Sequence, residues 1–393
     1  MIGVRLISDA VIRVLHGIQM RFPLGIFGVR RARIDGFRAF SLSETRVPSG
    51  ESTWFHASSM GELEMLAPMI EDFLLAGQEV AVSVFSDSAL PALKKLPAKC
   101  IYAGLSPPEG AWASCFKQLR VKKLILAKYD FWPGMMVSAL RQGAPVVVIN
   151  AGVRPSMRWI QWIPEIRRAI QSQDRLILFD SGSTALTPSG FRAGVDPRWE
   201  RVSRRMLAAK ASDALISSNE WIREALAKAQ RPLGVLGSAW AEDVEVLLPA
   251  LAGTSASLWV VPHSLEPANL ERIRRLIPSG LSDRVMMIEK MGILVELYGL
   301  ADFAFVGGGF GKGIHSTLEP AAHGLPVACG PAQVEAFAET GELRSRGILM
   351  VCQNSEDCAR WLAALRPKDP HPEFISRKQH QYRALLEECL RIR

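Results

Sequence analysis

Five glycines fall within seven residues of the sequence, from Gly307 to Gly313, directly after a strand-like apolar run. Glycines let a backbone approach a phosphate closely, and the N–H groups at the start of the following helix favour an anion. Glu319, near that helix start, could accept hydrogen bonds from ribose hydroxyls. The spacing fits neither a Walker A loop nor a dinucleotide-binding GxGxxG motif. The loop therefore predicts anion binding, and the alternative is a tight glycine turn followed by an ordinary helix-start glutamate.

A second polar stretch, from His56 to Glu62, follows an earlier strand pattern and opens a helical one. A carboxylate at the carboxyl edge of a parallel sheet is well placed to take a proton from a substrate, so Glu62 is a candidate general base. The alternative is structural: Ser59 would cap the helix, and Glu62, three residues later, would complete a capping box. The residues alone slightly favour the capping interpretation.

Two shorter motifs also follow strand patterns. Lys128 and Asp130 lie on the same side of an extended segment that is rich in aromatic residues. They could form an ion pair that orients a substrate, or a surface pair of little energetic value. His263 follows Pro262 directly after a buried strand. A lone histidine is more often structural than functional, but this position is at the edge of a sheet where ligands bind.

The elements that must position these residues are short β-branched runs that alternate with helical patterns. Continuous apolar runs such as Val146–Ile149 indicate strands buried on both faces, and therefore a parallel sheet covered by helices. Helices are predicted at Gly61–Ala76 and Met135–Gln142. The predicted strands are Ser52–His56, Val80–Phe85, Lys123–Ala127, Val146–Asn150, Arg175–Phe179, Ala214–Ser217, Leu233–Leu236, Leu258–Val261, Val285–Ile288, Phe303–Val306 and Pro326–Cys329.

The same alternation begins again after residue 210, which predicts two successive α/β domains in the 393 residues. The segment Asp180–Trp199 is rich in small residues and proline and has no periodicity, so we interpret it as the end of the first domain and the connection to the second. We predict two Rossmann-like parallel-sheet lobes, residues 41–200 and 201–393, that face a cleft where ligands bind. The last helix could pack back on the first lobe.

Charge and cysteine content limit the remaining classes. The chain carries a net charge of +8, and residues 1–40 hold seven arginines against two aspartates. Within the first 20 residues, the apolar residues recur at helical spacing opposite Arg5, Asp9, Arg13 and His16. This predicts an amphipathic helix that either lies on an anionic membrane or packs on the protein, and its charge-free runs are too short to cross a bilayer. Six cysteines without a CxxC pair argue against a disulfide scaffold or a cysteine-rich zinc site.

Taken together, these motifs resemble those of the 3-deoxy-D-manno-octulosonic acid (Kdo) transferases of lipopolysaccharide synthesis. That family consists of GT-B glycosyltransferases, with two Rossmann-like lobes, that use CMP-Kdo as the donor. Its HxxSxGE stretch matches His56 to Glu62. The resemblance implies that Glu62 is the base for the acceptor hydroxyl, with Ser58, Ser59 and Gly61 on the acceptor side.

The glycine loop and the HNxLEP motif of the family match the chain from Gly307 to Pro320, which implies that Glu319 holds the CMP ribose. The other donor-binding residues that the resemblance implies are Pro262, His263, Met291, Gly292, Gly308, Gly309 and Ser316. This chain departs from the family pattern at two of these positions. Ser316 replaces an asparagine, and Pro262-His263-Ser264 replaces Pro-Arg-His, so that a fixed guanidinium charge on the donor is lost.

The resemblance also gives roles to other residues of the first lobe. Lys128-Tyr129-Asp130 replaces the Glu-Thr-Glu of many members, so that Asp130 keeps a carboxylate and Lys128 lies on the acceptor side. Arg198 corresponds to the basic residue expected before the second lobe. As catalytic residues beside Glu62, Asp130 and Arg198 would steady the charge around the reacting centre.

The implied function is an inverting transfer of Kdo from CMP-Kdo to a lipid A precursor at the cytoplasmic face of the bacterial inner membrane. No cofactor or metal ion is required, because CMP is a tolerable leaving group and catalysis can depend on positioning and a general base. The expected partners are CMP-Kdo, the lipid A precursor and anionic inner-membrane lipids, but no nucleic acid. The alternatives are a lipid-directed GT-B transferase that uses a UDP-sugar and a catalytically inactive sugar-nucleotide- or lipid-binding homologue.

Overall fold

The computed structural model describes residues 48–392, except 87–88, 94–95, 97–99, 108–110, 153–159, 173, 181–190, 211–218 and 370–372. The amphipathic segment predicted within residues 1–40 and the strand predicted at Ala214–Ser217 lie outside the described residues. The chain divides into two compact units. Unit 1 holds the described residues up to Arg201 and from His380 onward, and unit 2 holds Val202–Gln379.

The elements of the described residues are numbered here in chain order. The strands β1 to β13 are Ser52–Ala57, Glu79–Val84, Tyr102–Leu105, Val121–Ala127, Val146–Ile149, Leu176–Asp180, Phe191–Ala193, Leu233–Ala239, Ser257–Pro262, Val285–Met287, Phe303–Val306, Val327–Cys329 and Leu349–Val351. The helices α1 to α14 are Met60–Leu75, Leu90–Leu93, Trp112–Gln118, Pro133–Arg141, Pro164–Ser172, Arg198–Lys210, Glu220–Lys228, Ala241–Ala252, Pro267–Leu276, Leu294–Leu300, Leu318–Ala322, Ala338–Ser345, Ser355–Ala363 and Glu373–Arg391. Short 3₁₀ turns lie at Ser279–Leu281 and Val334–Ala336.

Unit 1 contains a seven-stranded parallel sheet in the order β3-β2-β1-β4-β5-β6-β7. All six residues of β1 are buried, because helices cover both faces of the central strands. Trp54 of β1 lies between Ala81 of β2 and Leu124 of β4 in the register of the sheet. The strand order reverses between β1 and β4, and ligands of such sheets bind at the carboxyl ends of the two strands at that point.

The core of unit 1 is built around the fully buried Trp54. Its ring centroid lies 4.9 Å from that of Phe116, and the cluster extends through Met135 and Val146. Burying one large apolar side chain of this kind contributes about 1.5–3 kcal/mol. The end of α14 belongs to the same unit: the Tyr382 hydroxyl donates a hydrogen bond to Asp72 at 2.6 Å.

Unit 2 contains a six-stranded parallel sheet in the order β10-β9-β8-β11-β12-β13. The order reverses between β8 and β11, where Gly237 pairs with Val306. Phe303 and Phe305 of β11 meet the Trp361 ring edge-on, with centroids 5.6 Å and 6.2 Å away, and anchor the core beside the sheet. The second reversal point therefore lies at the carboxyl ends of β8 and β11.

The predicted strands in the described residues are confirmed, but three strands have no sequence prediction. β3 contains a glycine, and β7 lies at the edge of the sheet with exposed and half-buried residues, so neither shows a continuous apolar run. β13 is apolar throughout but only three residues long, and its signal was missed. The interpretation of Asp180–Trp199 as a connection is wrong in part. Residues 191–193 pair with β6 as the last strand of the first sheet, and α6 begins at Arg198.

In the parts of the chain that the structure describes, no helix combines the length and the apolar character needed to cross a bilayer.

Candidate functional site

The first group of candidate residues lies at the carboxyl edge of the unit 1 sheet, where β1 and β4 end side by side. Ser58 and Ser59 follow β1 and lead into α1, whose first turn carries Glu62. After β4, Lys128 adopts a left-handed backbone conformation with φ of 50°, and this turn brings Asp130 back toward the loop after β1. The two polar stretches singled out in the sequence therefore meet at the reversal point of the sheet.

Asp130 is a buried acid at this edge with a raised pKa. It is only 7% exposed, and one carboxylate oxygen accepts a hydrogen bond from the Ser58 backbone N–H at 2.7 Å. The pKa of Asp130 is raised to about 7, first by burial and also by the negative charge of Glu62, while the hydrogen bonds of Ser58 and the charge of Lys128 oppose the shift. A carboxyl group whose pKa is near neutral can both hold and release a proton at physiological pH.

Glu62 is half-buried beside this acid, and the Ser59 hydroxyl donates a hydrogen bond to its carboxylate. Ser59 occupies the N-cap position of α1, but its side chain makes no hydrogen bond to the backbone of the first turn. The capping-box interpretation is therefore wrong, because the hydroxyl turns to the carboxylate instead. Gly61 is exposed, and a Cβ at its position would lie 3.8 Å from the Ser59 oxygen.

Aromatic rings hold the Ser58 loop in place. The Trp132 indole N–H donates to the Ser58 hydroxyl oxygen at 3.1 Å, and the indole packs on Phe85 at 4.7 Å between centroids. The buried His56 ring meets Trp132 edge-on at 5.8 Å, and its Nδ1 lies 2.8 Å from the Ser83 hydroxyl. These contacts fix the loop that presents its N–H to Asp130.

Arg198 is engaged in a buried ion pair with Asp196. Its Nη2 and Nε lie 2.6 Å and 2.9 Å from one carboxylate oxygen, and Asn150 donates to the same oxygen at 3.1 Å. Burial alone would raise the pKa of Asp196, but the charge and hydrogen bonds of Arg198, with the charge of Lys128, hold that pKa below its ordinary value. Lys128 thus acts electrostatically on both Asp130 and Asp196, while the charge of Arg198 is largely balanced by its partner.

The second group lies at the carboxyl edge of the unit 2 sheet, in the glycine loop after β11. Gly308 has a φ of 88°, and a Cβ there would lie 2.1 Å from the Gly313 carbonyl oxygen. At Gly309, a Cβ would lie 2.4 Å from the backbone nitrogen of Gly330, in the loop after β12. Close backbone packing therefore requires glycine at these two positions, as the tight-turn alternative expects. Anion binding by the loop stays a prediction.

Asp243, in the first turn of α8, organises this loop and was missed by the sequence analysis. It is completely buried and accepts hydrogen bonds from the backbone N–H groups of Trp240, Gly308 and Phe310 at 2.9, 2.7 and 3.4 Å. Burial raises the pKa of Asp243, although the three N–H donors oppose the shift. Two N–H groups of the glycine loop are thus directed at a carboxylate of the protein itself.

Four side chains form a stack at the same edge, named here the Lys312 stack: Lys312, Trp240, His263 and His315. The Lys312 ammonium lies 4.0 Å from the centroid of the Trp240 ring. Trp240 stacks on His263 at 4.8 Å, and His263 stacks on His315 at 4.4 Å. Burial lowers the pKa of both histidines, with further lowering by Lys312 at His263 and by His263 at His315. Of these four, the sequence analysis identified only His263.

Glu319 lies in the first turn of α11, and the structure gives it a partner that the sequence did not predict. Arg205 of α6 donates to its carboxylate at 2.7 Å, and both side chains are partly exposed. Ser316, three residues earlier, is exposed, and its hydroxyl oxygen lies 3.4 Å from the Leu318 N–H. A ribose bound by Glu319 would therefore share this carboxylate with Arg205.

The remaining donor-side candidates are spread over two loops of unit 2. Pro262 is the buried last residue of β9 and pairs with Ala239, so that His263 emerges at the carboxyl edge. Met291 is 59% exposed, and Gly292 has a φ of 83° in open space before α10. Among the described residues, no group of three or more His, Cys, Asp or Glu side chains could hold a metal ion.

Comparisons with known proteins give both similar sequences and similar structures. Residues 32–187 match a family model described as 3-deoxy-D-manno-octulosonic-acid transferase (kdotransferase). The chain is 27% identical over 357 residues to the 3-deoxy-D-manno-octulosonic acid transferase of Chlamydophila psittaci, and the match covers 81% of this chain and 76% of that protein. The corresponding transferase of Aquifex aeolicus is 24% identical over 295 residues, covering 71% of this chain and 75% of that protein.

Among solved structures, MurG of Acinetobacter baumannii is similar with a TM-score of 0.57 and 13% identity, over 87% of this chain and 99% of that chain. With its two parallel-sheet α/β units, the protein therefore has the predicted fold class, the GT-B fold of glycosyltransferases. The sequence matches then narrow the class of protein within this fold. They confirm the resemblance to the Kdo transferase family that the motifs indicated.

Proposed function

We propose that the protein transfers Kdo from CMP-Kdo to a lipid A precursor with inversion at the anomeric carbon. The names of its relatives support the transferred sugar. The observation that carries the proposal is the carboxylate pair of unit 1: Glu62 and the buried Asp130, with a pKa of about 7, stand where β1 and β4 end. Such a pair is suited to accept a hydroxyl proton at neutral pH.

In this mechanism, Glu62 takes the proton from the acceptor hydroxyl as the oxygen forms a bond to the anomeric carbon of Kdo. The bond from that carbon to the CMP phosphate breaks, and CMP leaves with the electron pair. The negative charge of Glu62 helps to raise the pKa of the neighbouring Asp130, so that the two carboxyl groups act on one another at this edge. The Ser59 hydroxyl orients the Glu62 carboxylate, and the Asp196–Arg198 pair with Lys128 steadies the charge nearby.

Unit 2 would bind the donor nucleotide. Glu319, partnered by Arg205, would accept from the ribose hydroxyls, and Ser316 would donate to the phosphate. The other donor-side residues in the proposal are Pro262, His263, Met291, Gly292, Gly308 and Gly309. The proposal needs no cofactor and no metal ion, because CMP is a tolerable leaving group and a base is already positioned.

The same proposal includes a location. An enzyme on the membrane surface reaches a lipid acceptor most easily. We therefore propose that the protein acts at the cytoplasmic face of the inner membrane. The net positive charge of residues 1–40 would favour anionic lipids there, and each arginine near the surface contributes about 1 kcal/mol. Nucleic acid is not among the proposed partners.

The test is to incubate the protein with CMP-Kdo and a lipid A precursor and to measure the product mass. A mass increase by one or more Kdo units is expected, together with a melting temperature that CMP raises more than UDP does. Stabilisation by UDP alone, with product only from a UDP-sugar, would favour the alternative transferase. Binding of CMP without any product would favour an inactive homologue.

A further inference from the structure

Lys312 is held in an unusual way for an exposed lysine. A surface lysine normally samples many rotamers, but the Lys312 ammonium lies 4.0 Å from the Trp240 ring centroid. The indole is itself fixed, because it stacks on His263, which stacks on His315. The stack therefore holds a positive charge at the carboxyl edge of the unit 2 sheet, close to the reversal point between β8 and β11.

Two acidic side chains described at this edge, Asp243 and Glu319, already have partners. Asp243 accepts from the backbone N–H groups of Trp240, Gly308 and Phe310, and Glu319 pairs with Arg205. Within the part of the chain that the structure describes, Lys312 forms no salt bridge. Its charge also reaches His263, where it adds to burial in lowering the pKa of the imidazole. An ammonium held on a ligand-binding edge without a carboxylate partner is suited to an anionic ligand.

We propose that Lys312 binds the phosphate of the donor nucleotide, with the Trp240 ring positioning its ammonium. This inference rests on the proposed function, which makes a cytidine monophosphate the ligand of unit 2. His263 carries no fixed charge, and Lys312 would supply a positive charge one stacked ring away from it. A phosphate contact of this kind discriminates a nucleotide from its nucleoside.

The experiment compares the binding of CMP and of cytidine, which lacks the phosphate, by calorimetry with competition for the weaker ligand. Lys312→Gln is expected to weaken CMP binding about tenfold or more, the scale of a charged hydrogen bond, and to leave cytidine binding unchanged. Lys312→Arg should keep most of the CMP affinity. Lys290→Gln is the matched control, because Lys290 also lies over an indole, that of Trp221, at 5.8 Å.

Trp240→Leu keeps the lysine but removes the ring that positions it, and it should weaken CMP binding by a smaller factor. An unchanged CMP affinity in Lys312→Gln overturns the inference, and so does an equal loss for CMP and cytidine, which would mean that Lys312 only supports the loop. If instead the proposed function is wrong, the wild type would bind UDP and not CMP. The same comparison with UDP and uridine would then test Lys312 by itself.

Discussion

The two sheet edges are built alike, but we propose different roles for them. Each places a buried aspartate near the point where the strand order reverses, and each aspartate accepts at least one backbone N–H group. Asp243 is completely buried and accepts three N–H donors, so its contacts fasten the glycine loop. Asp130 accepts one backbone N–H and feels a second carboxylate, Glu62. The number of backbone donors thus distinguishes the two aspartates, and we propose that Asp243 is a structural carboxylate and that Asp130 takes part in the chemistry.

The charged surroundings of the two edges also differ. Unit 1 gathers carboxylates, with Lys128 as a nearby cation, whereas unit 2 presents the Lys312 stack and the pair of Arg205 with Glu319. An acidic edge suits the abstraction of a proton, and a basic edge suits a nucleotide phosphate. The division of labour proposed between the units follows from this contrast.

The largest effect is expected from Asp243→Ala. The change leaves the N–H groups of Trp240, Gly308 and Phe310 without their acceptor, and the free energy of unfolding should fall by about 3–5 kcal/mol. Chemical denaturation measures the loss. Glu242→Ala is the control, since this neighbour makes only a partly exposed pair with Arg272 and should cost about 1 kcal/mol or less. Equal losses in both variants would refute the structural role of Asp243.

Asp130→Asn should raise the free energy of unfolding, whereas Asp243→Ala should lower it. Because burial raises the pKa of Asp130 from 3.8 to about 7, ionisation of this group in the folded protein costs stability as the pH rises between these values. Asparagine can still accept the Ser58 N–H and carries no charge. The free energy of unfolding of the variant should therefore match that of the wild type near about pH 4 and exceed it by on the order of 2–4 kcal/mol near about pH 8.

Asp196→Asn is the matched control, and it should change the stability in the opposite direction to Asp130→Asn. The reason is that Arg198 and Lys128 hold the pKa of Asp196 below its ordinary value despite burial. Its ionised form contributes stability above the unfolded pKa, and that contribution is lost as the pH falls. Asparagine at this position should destabilise the protein at neutral pH. If urea denaturation at about pH 8 showed that both variants change the free energy of unfolding in the same direction, the electrostatic contrast between Asp130 and Asp196 would be wrong.

A smaller effect separates the structural glycines from the others. Gly309→Ala would place its Cβ 2.4 Å from the Gly330 nitrogen, so the two loops must move apart at a cost of about 1–3 kcal/mol. At Gly311, nothing lies within 4 Å of a built Cβ, and the backbone is not left-handed. Gly311→Ala should leave the melting temperature unchanged within about 1 °C. A clear loss at Gly311 would show that this turn is more constrained than its geometry indicates.

These contrasts also show what the sequence could and could not predict. Phe303–Val306 was predicted with the observed bounds, because a continuous apolar run is a local signal of a buried parallel strand. The edge strand Phe191–Ala193 carries no such signal. Both reversal points could be anticipated as ligand-binding edges, since the polar stretches directly follow the strands.

The roles of the residues at each edge depend on contacts between residues that are far apart in the sequence. Local sequence patterns could not predict these roles. Asp243 binds a loop 65 residues away along the chain, and Arg205 reaches Glu319 across 114 residues. The near-neutral pKa of Asp130 arises from burial in the folded core, which no local spacing reveals. The capping box failed for a similar reason: the pattern was present, but the Ser59 hydroxyl found a carboxylate instead of a backbone N–H.

The most direct test of the central claim is the turnover of CMP-Kdo and a lipid A precursor by Glu62→Gln, measured from the product mass over time. The account predicts a loss of about 10²-fold or more, the usual scale for a general base, with CMP affinity unchanged. Glu64→Gln, on the same helix and paired with Arg201 at 3.1 Å, should keep wild-type turnover. Turnover near the wild-type rate in a folded Glu62→Gln variant would contradict the account.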